Sequence, residues 1–258
     1  MQAMLFFAIC ILATTVGGIS GVGGGVIIKP VLDAITTLDV STISFLSGTT
    51  VFAMTCSSIL LGRNKGVQVE KRRGNALAIG AALGGVGGKA LFELVYASGG
   101  MLVKLAQQTC MVGLTVLVFV YTLNRHRIRS RNVTNLPACV GIGLAMGALS
   151  AFLGIGGGPI NLMVLYYFFS MDTKTAALNS LYVILFSQSA TLACMLLGGS
   201  VPAFEPVHLM TMVTGGILGG RLGRALARRL STKQTDKLFL VLLTVIILIS
   251  VYNLWRLF

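Results

Sequence analysis

Acidic side chains are scarce in this sequence, with 7 Asp and Glu against 20 Lys and Arg in 258 residues and a formal charge of +13. Charged residues make up only 10% of the chain and hydrophobic ones 55%, which leaves too little charge to cover a water-soluble domain of this length. Histidine is nearly missing. His126 stands in a basic loop and His208 opens an apolar block, and neither has the neighbours of a metal site or a catalytic triad. Cys10, Cys56, Cys110, Cys139 and Cys194 form no CxxC pair and lie in or beside apolar blocks, as packing residues do. Without a convincing nucleophile, paired carboxylates or a metal cluster, the chain does not read as a membrane enzyme, and no cofactor is expected. No Lys or Arg precedes Lys29, so the first apolar block lacks the basic start of a secretory signal and reads as mature protein.

Long apolar runs are abundant. They cover about 1–28, 43–61, 74–98, 101–123, 136–169, 176–197, 207–230 and 238–257, several of them near the ~20 residues of a helical span. The expected fold is all-α, a polytopic integral membrane protein in contact with the lipid bilayer. The cations sit mostly in short loops between the blocks, a topology signal, so nucleic acid is not the expected partner.

One unit is written twice. At an offset of 133 positions, Gly21-Val22-Gly23-Gly24-Gly25 falls on Gly154-Ile155-Gly156-Gly157-Gly158, and Asp39, Thr42 and Ser47 fall on Asp172, Thr175 and Ser180. At an offset of 132, Gly84, Gly87, Gly88 and Leu94 fall on Gly216, Gly219, Gly220 and Leu226, and Lys89 on Arg221. This divides the chain into a first transmembrane repeat (1–124), a basic linker (125–135) and a second transmembrane repeat (136–258).

Loop charge distinguishes parallel from inverted repeats. If every block crosses once, the basic loops divide poorly between the two faces. If the first and fifth blocks break at their glycines and turn back, each half crosses an odd number of times and the second half is inverted. Nearly all loop cations then share one face, with only Lys29, Lys104 and Arg256 opposite. The block 136–169 as one straight helix would reach roughly 51 Å against a core of about 30 Å, an excess that a re-entrant hairpin removes and that a tilted or kinked span also absorbs. The expectation is a Gly-rich broken or re-entrant hairpin followed by three transmembrane helices in each half.

Irregular backbone survives at membrane depth only when it is buried in protein or lines a watery cavity. Pro159 suits the first position of a short helix over 159–169, and a matching helix is expected to begin near Val26. Free N–H groups and the positive helix end would form an anion site there without a buried cation. The candidate contacts are Gly21, Gly23, Gly24 and Gly25 in the first half, and Gly154, Gly156, Gly157, Gly158, Pro159 and Asn161 in the second. Ser47, Asn179 and Ser180, with Thr49 and Gln188, lie on helices that flank the tips, where they serve an oxyanion or bond helix to helix. Lys89 has Glu93 four residues on and Arg221 has Ala225, so Arg221 is the freer anion contact unless it snorkels with Arg224. Gly80, Gly84, Gly88, Gly216 and Gly220 carry the spacing of helix packing. Asp39 and Asp172 are expected to cap the helices that follow them.

The doubled Gly-x-Gly-Gly-Gly signature, with Pro30 following the first copy after four intervening residues, resembles the TauE/SafE family of sulfite and organosulfonate exporters. The resemblance extends over essentially the whole chain. The second copy departs from the family pattern, with Met163 in place of the proline and a proline at Pro159 instead. Where members tend to carry Thr-Ser, Leu46-Ser47 and Asn179-Ser180 retain the serine alone. The resemblance implies secondary transport of a small sulfur-containing anion (sulfite, an organosulfonate or thiosulfate) across the bacterial cytoplasmic membrane, coupled to an H+ or Na+ gradient. An anion channel would use the same site.

Overall fold

A computed structural model describes residues 2–62, 71–97, 99–125 and 127–256 of the chain. The basic segment 63–70 and His126 lie outside the described residues. Ten helices and no strand occur among those described. α1 (Gln2–Ser20) and α2 (Gly25–Ile35) are parted by the first glycine segment and followed by α3 (Val40–Gly62), α4 (Lys71–Ala97) and α5 (Gly100–Asn124). α6 (Leu136–Leu153) and α7 (Pro159–Phe169) are parted by the second and followed by α8 (Thr173–Leu197), α9 (Pro206–Arg229) and α10 (Thr232–Trp255).

Seven of these helices (α1, α3, α4, α5, α6, α8 and α10) are long and apolar enough to cross a bilayer, which makes the chain a multi-pass membrane protein. α9 is as long, but Arg221, Arg224, Arg228 and Arg229 lower its hydropathy. α2 and α7 have 11 residues each, a length of only about 16 Å. The first and fifth apolar blocks therefore each resolve into two helices.

The breaks have local causes. α6 ends at Gly154, whose φ of 65° places it in the left-handed region that glycine adopts without strain. Gly156, Gly157 and Gly158 keep positive φ, and Pro159 starts α7 at the position where its missing N–H costs nothing. Asp172 caps α8, its carboxylate accepting from the amides of Lys174 and Thr175 at 3.0 Å, and Asp39 accepts from the amide of Ser41 at 2.8 Å before α3. A reciprocal Ser231–Gln234 capping box opens α10.

Small residues bring helix backbones together. On α4, Gly80, Gly84 and Gly88 lie against Val140, Leu144 and Ala148 of α6. On α9, Gly215, Gly219 and Gly223 lie against Phe7, Ile11 and Thr15 of α1, while Gly216 and Gly220 lie against Thr50 and Met54 of α3. In each pairing the residue numbers rise together, so the partners run in the same direction. α8 follows α4 in the same sense, with Tyr182 bonded to Asn75 and Ser187 beside Gly85. α3 and α8 run oppositely, since Gly48 meets Gln188 while Val51 and Met54 cluster with Leu181 and Ile184.

Candidate anion site

The two glycine segments meet at the centre of the molecule. A side chain on Gly25 would collide with the Ile155 carbonyl, and Gly23 lies beside the Gly156 carbonyl. Each segment also packs on the helix that follows the other: Gly21 against Ala177 of α8, and Gly154 and Gly156 against Ser44 and Val51 of α3, while Gly157 packs on Ile184 of α8 in its own half. The contacts of Gly21, Gly25, Gly154, Gly156 and Gly157 leave no volume for a Cβ, and positive φ at Gly21, Gly23, Gly154, Gly156, Gly157 and Gly158 disfavours one independently. The amides of Gly23, Gly24, Gly156, Gly157 and Gly158 donate no backbone hydrogen bond among the described residues. The helix starts at Gly25 and Pro159 thus present free donors to the interior.

Beside the second segment is a narrow crevice of about 30 Å³, lined by Ser44 and Gly48 of α3, Lys89 of α4, Gly154, and Gln188 and Thr191 of α8. That is room for about two waters, so entry of a four-atom oxyanion requires the walls to part. Lys89 is 6% exposed, with its ammonium 3.2 Å from the half-exposed Glu93 carboxylate and 5.0 Å from the centre of the Phe92 ring. The Ser44 hydroxyl is buried with no hydrogen-bond partner. Gln188 is buried, and its amide oxygen fills the space beside Gly48. A buried cation, a free hydroxyl and a carboxamide form a donor set suited to an oxyanion and poor for a metal cation. Among the described residues, no group of three or more His, Cys, Asp and Glu could hold a metal ion.

The structure places Lys89 and Gly154 on the wall of one crevice. The Asn161 carboxamide is buried beside Gly157, and its oxygen lacks a partner. Ser47 and Ser180 are fully buried with unpartnered hydroxyls; Ser47 lies one turn from both Ser44 and Val51, and Ser180 one turn from Ala177 and Ile184. Asn179 bonds within its own helix, donating to the Thr175 carbonyl at 2.9 Å. Arg221 is exposed on the outside of α9, away from the glycine segments. Lys29, read from the sequence as a loop cation, is buried in α2 and lies 3.6 Å from Asp33. Ser44 and Thr191 were not singled out in the sequence. Their signal, one turn before Ser47 and three residues after Gln188, is one that hydroxyl residues on membrane helices supply too often to be distinctive.

The family described as sulfite exporter TauE/SafE matches residues 6–250. No curated protein and no solved structure matches the chain.

Proposed function

The chain belongs to the TauE/SafE sulfite exporter family, and from that premise we propose that it is a secondary transporter carrying a small sulfur-containing anion, sulfite, an organosulfonate or thiosulfate, across the bacterial cytoplasmic membrane. The observation that carries this reading is the meeting of two glycine segments, each opening a short helix, beside the buried Lys89, Ser44 and Gln188. Free amides and the helix ends supply fixed donors, and Lys89 supplies the compensating charge.

The same reading makes the halves inverted repeats with re-entrant hairpins. α1, α9 and α3 share one direction, α6, α4 and α8 share another, and the opposed α3 and α8 set the two groups against each other. α2 runs with α10, the Asn253 carboxamide and Arg256 guanidinium donating to the carbonyls of Pro30 and Ala34. The chain turns back along α1 at the start of α2, Gly23 lying beside Gly17 and Gly24 beside Thr14, and Ile28 and Leu32 of α2 share a core cluster with Ile43 and Leu46 of α3. With the basic loops placed on the cytoplasmic side, the Lys89 crevice belongs to the outer half of the membrane. The inner half is filled by Val51, Met54, Leu181 and Ile184. One side loosely packed and the other sealed suits alternating access better than a channel, which needs one continuous path.

Counterflow of radiolabelled sulfite in proteoliposomes tests the proposal. Saturable counterflow is expected, dependent on a proton or sodium gradient when the opposing gradient is collapsed with an ionophore. Lys89→Gln is expected to raise the half-saturating concentration roughly tenfold to a hundredfold, the value of a charge-assisted contact. Conductance without saturable counterflow would establish a channel instead, and unchanged counterflow in Lys89→Gln would remove the crevice from the site.

A further inference from the structure

We infer that Arg224 forms a second, cytoplasmic-side anion-binding position, the counterpart of Lys89, which the transported oxyanion occupies when the inner half opens. The inference rests on the inverted-repeat transporter reading above.

The packing register singles out this residue. Gly80 of α4 meets the Val140 carbonyl and the Leu144 amide of α6, and Gly215 of α9 meets the Phe7 carbonyl and the Ile11 amide of α1. Gly84 meets the Leu144 carbonyl and the Ala148 amide, and Gly219 the Ile11 carbonyl and the Thr15 amide. Gly88 and Gly223 each end on the next carbonyl in that series, of Ala148 and Thr15. On the neighbouring stripe, Gly85 meets the Ser187 carbonyl and Gly220 the Met54 carbonyl. Every partner pair keeps the offset of 133 positions, while the glycines of α4 and α9 correspond at 135. The counterpart of Lys89 is therefore Arg224, and Arg221 lies three residues out of register.

Arg224 also has the surroundings such a position needs. It continues the stripe of Gly216 and Gly220 that faces α3, and its Nε is buried without a hydrogen-bond partner. Arg221, one turn away, is exposed. The residues that shape the outer crevice map across as Gly154 to Gly21, Ser44 to Ala177 and Gly48 to Leu181. Leu181, fully buried with Val51, Met54 and Ile184, puts a leucine side chain where the outer crevice has Gly48. Exchanging the two environments, as inverted repeats do, would free the space beside Arg224 while closing that beside Lys89. Arg228 stands where Glu93 pairs with Lys89.

The test compares sulfite flux in right-side-out and inside-out vesicles. Vmax/KM in the two directions is tied by the overall equilibrium, so the discriminating quantity is KM at each face. Arg224→Gln is expected to raise KM at the cytoplasmic face by about tenfold or more and to leave the outer-face value within about twofold. Arg224→Lys should fall between, and Arg221→Gln should match the wild type; gel filtration of each purified variant confirms that it is folded. If the wild type shows saturable flux and Arg224→Gln behaves like Arg221→Gln, the inference is overturned and the transporter proposal stands. If the wild type shows no saturable flux, both fall.

Discussion

A methyl group added to Gly88 would run into the Ala148 backbone, whereas one added to Gly87, a residue earlier on the same helix, would meet no atom within 4 Å. Gly87→Ala should therefore leave thermal stability unchanged or raise it by up to about 1 kcal/mol through helix propensity, while Gly88→Ala should cost about 1–3 kcal/mol through overpacking. Melting followed by fluorescence-detected gel filtration measures both. At Gly157 the strain is doubled, since φ is 131° and an added Cβ would collide with Ile184. Gly157→Ala should abolish sulfite flux, and recovery of normal flux in that variant would separate the glycine segment from transport. The roles of Pro159, Asp39 and Asp172 were legible in the sequence because each depends on its immediate neighbours. The choice between Arg221 and Arg224 was not. Glycine doublets recur so closely on α4 and α9 that offsets of 132 and 135 both align glycine with glycine, and only the contacts to α1 and α6 separate them.

Helix ends carry much of the local definition of the fold, and the start of α8 shows how. Burial pushes the Asp172 carboxyl up, but the hydrogen bonds it accepts from the amide and hydroxyl of Thr175 and the amide of Lys174 outweigh this and hold it below the ordinary carboxylate value. A carboxyl lowered on folding contributes stability that is fully present above its unfolded value and is lost as pH falls through the folded one. Asp172→Ala should cost about 1 kcal/mol at neutral pH. The gap between wild type and variant should narrow on acidification below the usual carboxylate range, as thermal melts across pH will read. A gap independent of pH would show that the carboxylate charge contributes nothing to the cap. The boundary at the second glycine segment was legible for the same local reason: dense glycine followed by Pro159 ends α6 and starts α7, whereas α2 starts at Gly25 and carries Pro30 inside it. Only part of what each short helix packs against was legible, because α2 lies on the distant α10 as well as on its neighbour α3, and α7 on the distant α5 as well as on its neighbour α8.

At the scale of the whole molecule, the halves are interlocked rather than side by side. The most extensive helix pairings, α4 with α6 and α1 with α9, cross between them. Neither half can bury its small-residue faces alone, so the two are expected to fold as one unit. The recurring glycine motif and the charge bias of the loops are visible in the sequence, but this exchange is not, because similarity along a chain says nothing about which copy a helix meets. The direction of each half is open to direct measurement. With the five native cysteines replaced, Arg72→Cys at the start of α4 and Arg229→Cys at the end of α9 should both react with a membrane-impermeant maleimide in inside-out vesicles and not in intact spheroplasts. Glu205→Cys, before α9, should show the reverse. Eight single crossings would put Arg72 and Arg229 on opposite faces, so labelling of those two positions from opposite sides would eliminate the inversion. It would also eliminate the correspondence of Lys89 with Arg224 as outer and inner faces of one pathway.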